Sequence, residues 1–381
     1  MPDPRLDRLA QVLVRHCAPV KPGDLVTIVA EPSCMAAVGA VFEAALRAGG
    51  HPSFHPRCAA LLELQLQHAS EEQLRRVCPI ERFRLESCDV LIVLGRQENT
   101  KHLSRVDPAR IAMQQAGRRE LMSLSMRRAA AGILRYVLTE IPGNAAAQDA
   151  EMSLAHYEEW VYRAGFLHLP DPLSAWRKLR EQQELAREYL QGVHVLRFWA
   201  PANGSASRRH EGTDLTVDVS GRTWVNCAGG ENFPDGEVFS GPRGVDGVVN
   251  FDWPAVYRGV EVEGVRLKFS AGRVVEASAT RNEAFLLNML DQDAGARIAG
   301  EIALGTNYQL TSFSKNAFFD EKIGGTFHIA LGAGYPETGN TNESGLHWDM
   351  VCDLRQGGTV HADGTLIQRD GRFLLSGWPR E

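Results

Sequence analysis

The chain has little that would staple it, anchor it or bind it to nucleic acid. Its seven cysteines, Cys17, Cys34, Cys58, Cys78, Cys88, Cys227 and Cys352, form no CxxC pair and are odd in number. That argues against a disulfide framework and for reduced thiols in a cytoplasmic protein. No stretch approaches the ~18 uninterrupted apolar residues that a membrane span needs. The opening residues, MPDPRLDRLAQVLVRHC, carry acids and lack the apolar core of a signal peptide. The net charge of −6, with no basic cluster, gives no electrostatic footprint for nucleic acid. No glycine-rich phosphate loop follows the first strand-like run, since VAEPSCMAAVG is neither GxGxxG nor a Walker loop.

What is present is ordinary globular composition, 44% hydrophobic and 23% charged, over 381 residues. That length predicts two domains rather than one core. Before about residue 195, strand-like and helix-like runs alternate. Residues 23–30 and 87–95 read as buried strands, and 32–50, 107–132, 150–165 and 171–192 as helices. Pro108 lies near the start of one helix, and Asp171 stands ready to cap another. The alternation predicts an α/β domain over 1–195 with a largely parallel sheet. After 195 the chain turns glycine-rich, with hairpin signals at Ser220-Gly221, Glu263-Gly264, Ala271-Gly272, Asp363-Gly364 and Asp370-Gly371. Helices are fewer there, the clearest over 280–293. Residues 196–381 are therefore expected to form an α+β domain rich in antiparallel strands.

This second half places acids and imidazoles inside apolar segments. In SGLHWDMVCDL, His347 and Asp349 fall on one face of a strand whose other face is Leu346, Trp348, Met350, Cys352 and Leu354. In NFPDGEVFSGP a Pro-Asp-Gly turn delivers Glu237 into Val238-Phe239. In RIAGEIALGTN, Glu301 is the only acid of the apolar run, and in FFDEKIGGTFHIALGAGY His328 alternates with Phe327, Ile329 and Leu331. Asp320 and Glu321 precede that strand and Tyr335 ends its exit. An unpaired buried carboxylate costs several kcal/mol, and no matching set of Lys or Arg lies near these positions in sequence. Divalent cations of the Zn²⁺, Co²⁺ or Mn²⁺ kind would resolve the electrostatics.

Each residue alone has an ordinary reading. Glu237 suits a surface turn, Glu301 a helix end, and His328 a hydrogen-bonded core histidine; Tyr335 suits a half-buried ring at a strand end. The His347/Asp349 pair fits a structural hydrogen bond as well as a ligand pair. The weight lies in the conjunction. His51 and His55 are weaker candidates, because Pro52 and Pro56 forbid the helix that would bring them together; a strand edge is expected there.

Taken in order, NFPDGEVFSGP, GEIALGTN, FDEKIGGTFHIALGAGY and NESGLHWDM resemble the aminopeptidase T/aminopeptidase S family of metallo-aminopeptidases. VKPGDLVTIVA and DPLSAWRKL…GTDLTVDVSGRTW are also similar to that family, so the resemblance covers most of the chain. It implies a homodimeric exopeptidase acting on short peptides through two metal ions, with an N-terminal α/β domain and a C-terminal metal-binding domain. The implied metal ligands are Glu237, Glu301, Glu321, His328, His347 and Asp349, with Tyr335 acting in catalysis. The KIGGTF stretch between Glu321 and His328 is longer than the family pattern, and the loop from Tyr335 to His347 is short.

The chemistry suits this inventory: paired cations can polarise a carbonyl and generate hydroxide, while a spare carboxylate carries a proton. Two alternatives use the same residues. A ring-opening dioxygenase of dihydroxypyridines would need one Fe(II) on His347, Asp349 and His328, leaving the glutamates unused. A metal-stabilised binding protein would keep the metals without hydrolysis.

Overall fold

The computed structural model describes residues 3–202 and 212–379. By internal contacts the chain divides into two compact units, Met1–Leu173 with Gly229–Pro234, and Ser174–Ala228 with Asp235–Glu381. The division at 173/174 precedes the helix Pro172–Leu190 almost entirely, whereas the change of texture in the sequence follows it. That helix carries Ala186 and Leu190 into the core of the second unit.

The first unit is a parallel five-stranded sheet in the order His51–Pro56, Leu25–Ala30, Val90–Gly95, Arg135–Glu140, Asn232–Phe233. Val26, Ile28, Val90, Ile92 and Val137 are fully enclosed, which suits strands with residues packed on their faces. Connecting helices include Met35–Arg47 and Pro108–Ala130, the latter started by Asp107, whose carboxylate accepts from Ala109 N. The histidine-bearing stretch His51–Pro56 is a strand at the sheet edge, as its prolines require. The expected helix over 150–165 spans Leu154–Ala164, and a separate short helix, Asn144–Asp149, precedes it. Helices Ala59–His68 and Pro79–Ser87 were not legible, their apolar residues making little contrast between faces.

The second unit packs two antiparallel sheets. The larger has eight strands in the order Arg273–Ser278, Arg266–Ser270, Gly244–Asn250, Thr213–Asp218, Val195–Ala200, Thr359–Ala362, Thr365–Arg369, Arg372–Phe373. The smaller runs His347–Asp353, Thr326–Gly332, Ala299–Gly305, Glu237–Ser240, Val225–Cys227. Phe198 of the larger sheet meets Phe327 of the smaller at 4.4 Å between ring centroids, inside one core that also takes Ile302, Leu304, Trp348 and Met350. Three expected hairpins form, at Ala271-Gly272, Asp363-Gly364 and Asp370-Gly371, each with both turn residues at positive φ.

Two expected hairpins do not form. Thr213–Asp218 and Val225–Cys227, on either side of Ser220-Gly221, enter different sheets. Val260–Val262 pairs with Ala255–Tyr257 rather than across Glu263-Gly264. Alternation shows that a segment is a strand; packing of the two sheets selects its partner.

Candidate metal centre

One face of the smaller sheet builds the core, so the other is left for chemistry. On the His347 strand, Trp348, Met350 and Cys352 are each 1% exposed, and His347 and Asp349 point the opposite way with Val351. The neighbouring strand places Phe327, Ile329 and Leu331 in the core and His328 on the site face. Register sets Asp349 opposite Ala330, and Ala330 opposite Glu301. The two carboxylates therefore flank a single methyl group. Glu237 begins the next strand, opposite Gly305, with Phe239 opposite Ala303 on the same face. Small residues between large polar ones make the hollow in which these side chains meet.

Glu301 reaches that face because of a bulge. The register between its strand and the His328 strand shifts between Ala299 and Glu301. Ala299 packs in the core, and so do Ile302 and Leu304, which requires a change of parity at Gly300. A Cβ at Gly300 would stand 2.3 Å from Ala333 O, so the close approach needs glycine.

The six expected residues converge. Three overlapping groups have donor atoms within 4.8 Å of one another: Glu237, Glu301 and His328; Glu301, His347 and Asp349; and Glu321, His328 and Asp349. The two oxygens of Glu301 go to different imidazoles, Oε1 lying 3.5 Å from His328 Nε2 and Oε2 lying 3.4 Å from His347 Nε2. Asp349 Oδ1 is 3.5 Å from His347 Nε2 and 3.9 Å from His328 Nε2. Glu237 Oε2 is 3.6 Å from His328 Nε2 and has no hydrogen-bond partner although buried.

Both imidazoles are oriented from behind. His328 Nδ1 lies 3.1 Å from the backbone oxygen of Glu321, and His347 Nδ1 lies 2.9 Å from that of Ala333. A carbonyl accepts only from N–H, so each Nδ1 carries hydrogen and each Nε2 is turned to the carboxylates. This is the arrangement of metal-ligating histidines, and together with the oxygen-rich set it fits divalent cations.

Without metal, protons do the balancing. Burial opposes the charge on His328, but Glu301 and Glu237 hold its pKa up at about 10. Burial likewise opposes the charge on His347, and Asp349 and Glu301 raise it to about 12. Burial pushes the Glu237 carboxyl up to about 8, against the pull of Lys322. Glu301 is held below its ordinary value, hydrogen bonding to the two histidines outweighing burial. Asp349 lies well below its own, the charge of His347 overcoming burial. Burial and the surrounding acids raise Tyr335, which keeps its hydroxyl proton.

Lys322, not expected from the sequence as part of this set, also lies within it. Its side chain is 0% exposed, and Nζ lies 3.3 Å from Glu237 Oε1 and in close contact with Glu321 Oε1. With both histidines neutral, as metal ligation requires, it is one cation against four carboxylates, and the shortage of positive charge stands. The available signal was a lysine flanked by Glu321 and the apolar Ile323. Gln183, also fully buried, donates from Nε2 to the backbone oxygens of Cys227 and Glu237 and so fixes the Glu237 strand. Nothing local marked it.

Tyr335 lies edge-on to His347, with ring centroids 5.3 Å apart, and to Phe239 at 5.2 Å. The exit to it runs through Gly332 at φ +101, where a Cβ would meet Leu346 O at 2.2 Å. His51 and His55 lie on the first unit's edge strand and belong to none of the three groups.

Residues 2–373 match the model of the thermophilic metalloprotease family M29. The chain belongs to this metalloprotease family. It is thus a hydrolase. It is 28% identical over 422 aligned positions to aminopeptidase 2 of Geobacillus stearothermophilus, covering 99% of this chain and 98% of that one. It is 32% identical to aminopeptidase T of Thermus thermophilus over 57% of this chain and 58% of the relative. Among solved structures, wild-type AmpT from Thermus thermophilus matches with a TM-score of 0.82 at 24% identity, over 97% of this chain and 99% of that chain. That likeness supports the two-part α/β and antiparallel architecture. The dioxygenase alternative gains no support from these relatives. Among the described residues no helix is long and apolar enough to cross a membrane.

Proposed function

We propose that this member of the M29 family is an aminopeptidase that removes N-terminal residues from short peptides through two divalent cations. Glu237, Glu301, Glu321, His328, His347 and Asp349 hold the cations in this reading, and Tyr335 acts on the substrate. The observation that carries it is Glu301, whose two oxygens address two separate imidazoles. Glu301 thus belongs to two of the donor groups and would help to hold an ion in each. When bound, paired Zn²⁺, Co²⁺ or Mn²⁺ would polarise the scissile carbonyl and supply a hydroxide nucleophile near neutral pH.

The chain's own groups provide the rest. Glu237 Oε2 receives no hydrogen bond from the protein and belongs to a carboxyl raised to about 8. In the loaded protein a carboxylate oxygen left free by the cations would take a proton from the attacking water and return it to the leaving amine. The Tyr335 hydroxyl, kept protonated, donates to the developing oxyanion. A cation or an acid beside the site would hold the free α-amine that distinguishes a peptide's first residue.

The free thiols agree with a cytoplasmic location. The likeness to aminopeptidase 2 over nearly its whole length supports a peptide substrate, and the family resemblance supports a homodimer. The test is metal analysis of purified protein beside hydrolysis of a panel of aminoacyl amides. Two ions per chain with cleavage of unblocked substrates only is the expected result. One iron, or no hydrolysis at full occupancy, overturns the reading.

A further inference from the structure

Lys322 sits inside a cluster that gathers dications, which calls for an explanation. It is the last place chemistry would put a third cation, since like charges a few ångström apart repel strongly where water is excluded. Nor is it a stray surface lysine. Its side chain is wholly buried, its backbone oxygen accepts from Asn307 N at 3.0 Å, and Asn307 Nδ2 donates to Asp235 O at 2.8 Å. Three segments bearing or adjoining Glu237, Glu301 and Glu321 are thereby joined around the ammonium.

Its contacts are also one-sided. Nζ reaches Glu237 and Glu321, and neither of these lies within ion-pair distance of His347. Glu237 instead approaches His328, and Glu321 groups with His328 and Asp349. On the His347 side, among the described residues, no lysine or arginine lies within ion-pair distance of Glu301 or Asp349.

We infer that Lys322 is a positioning residue acting as a resident cation: it holds Glu237 and Glu321 in place before metal arrives and weakens the hold of the His328 side on its dication. The inference rests on the two-metal reading. It has a distinctive sign. Deleting a ligand weakens metal binding, whereas deleting this charge strengthens it, because two carboxylates lose their competing partner. The same deletion leaves those carboxylates unpaired in the metal-free protein, which destabilises that form.

The experiment titrates metal-free full-length protein with Zn²⁺ against a chromophoric chelator and records the Tm of free and loaded forms. Wild type should take two ions. Lys322→Met should bind one of them at least about tenfold more tightly, with a lower Tm when metal-free and a Tm close to wild type when loaded. Lys322→Arg, which keeps the charge, should retain the weaker wild-type affinity. Zn²⁺ affinity that is unchanged or weaker in Lys322→Met overturns the inference and leaves the two-metal reading standing. A wild type that takes one ion or none overturns that reading itself. If Lys322→Met folds only with Zn²⁺ present, chelator competition from the loaded form still reads the affinity, and tighter binding supports the proposal. A variant that folds in neither condition overturns it, since a resident cation is dispensable once dications are bound.

Discussion

Two strands of this molecule carry a histidine close to a second ligand-type side chain, His51 with His55 and His347 with Asp349, and they have opposite fates. His51–Pro56 is the edge of the first unit's parallel sheet, with His51 exposed and His55 hydrogen-bonded to Ser53 at 3.3 Å. His347–Asp353 is also at an edge, that of the smaller antiparallel sheet, yet its His347 has carboxylates within 3.5 Å and a carbonyl behind its ring. Spacing of ligand-type side chains along a strand therefore decides little. What matters is the next strand, which in the first unit offers Leu25–Ala30 and in the second offers His328, followed by Glu301. The two environments move the imidazoles in opposite directions. Burial and Arg84 lower His55, whereas the carboxylates raise His347 to about 12.

The sharpest way to break this comparison is to remove an expected ligand from the second unit's sheet. Glu301→Ala or His347→Ala should abolish turnover and lower metal content while the first unit stays folded. Full occupancy with normal turnover in both would remove the centre from the chemistry. Next in size is Tyr335→Phe, expected to keep fold and metal but lose ~10²–10³ in kcat with KM little changed, as for loss of one oxyanion donor. Turnover within about threefold of wild type, under ~0.7 kcal/mol, would leave the ring a packing role against His347 and Phe239.

pH separates the two histidine environments by sign. Glu237 and His328 have folded values near 8 and 10, and His347 about 12, all above their ordinary values. Such groups stabilise the folded metal-free chain fully below their unfolded values, and that contribution is lost as pH rises through the folded ones. The Tm of metal-free protein should fall between about pH 7 and 10, and loading should release protons at pH 7, measurable by calorimetry in buffers of different ionisation enthalpy. His55, shifted downward, contributes above its unfolded value and loses that contribution on acidification. An alkaline limb that survives intact in His347→Ala would count against the assignment. The smallest expected effect is that of His51→Ala, within about 0.5 kcal/mol in denaturant unfolding and neutral for activity. A large loss of metal in that variant would collapse the contrast between the strands.

The sequence reached the alternation of His347 and Asp349 against Trp348 and Met350, the parallel character of the first sheet, and three of five hairpins. These are local: side-chain parity and Asp-Gly or Ala-Gly turns act over a few residues, so the chain states them directly. The six candidate ligands were legible because acids stood out in apolar runs, and the family resemblance ordered them into one set. The bulge at Gly300 that turns Glu301 to the site face was not legible, since no single residue type announces a shift of parity. Nor was the separation of Thr213–Asp218 from Val225–Cys227 into different sheets. The role of Lys322 depended on Glu237, far away in sequence, arriving at 3.3 Å from its ammonium. The sequence by itself determined the alternating faces of the strands and which apolar runs carry an acid or an imidazole. Only the tertiary structure decided which charges meet, because strand order and register are settled by the packing of two sheets at once, and electrostatic energy depends on distance in space rather than along the chain.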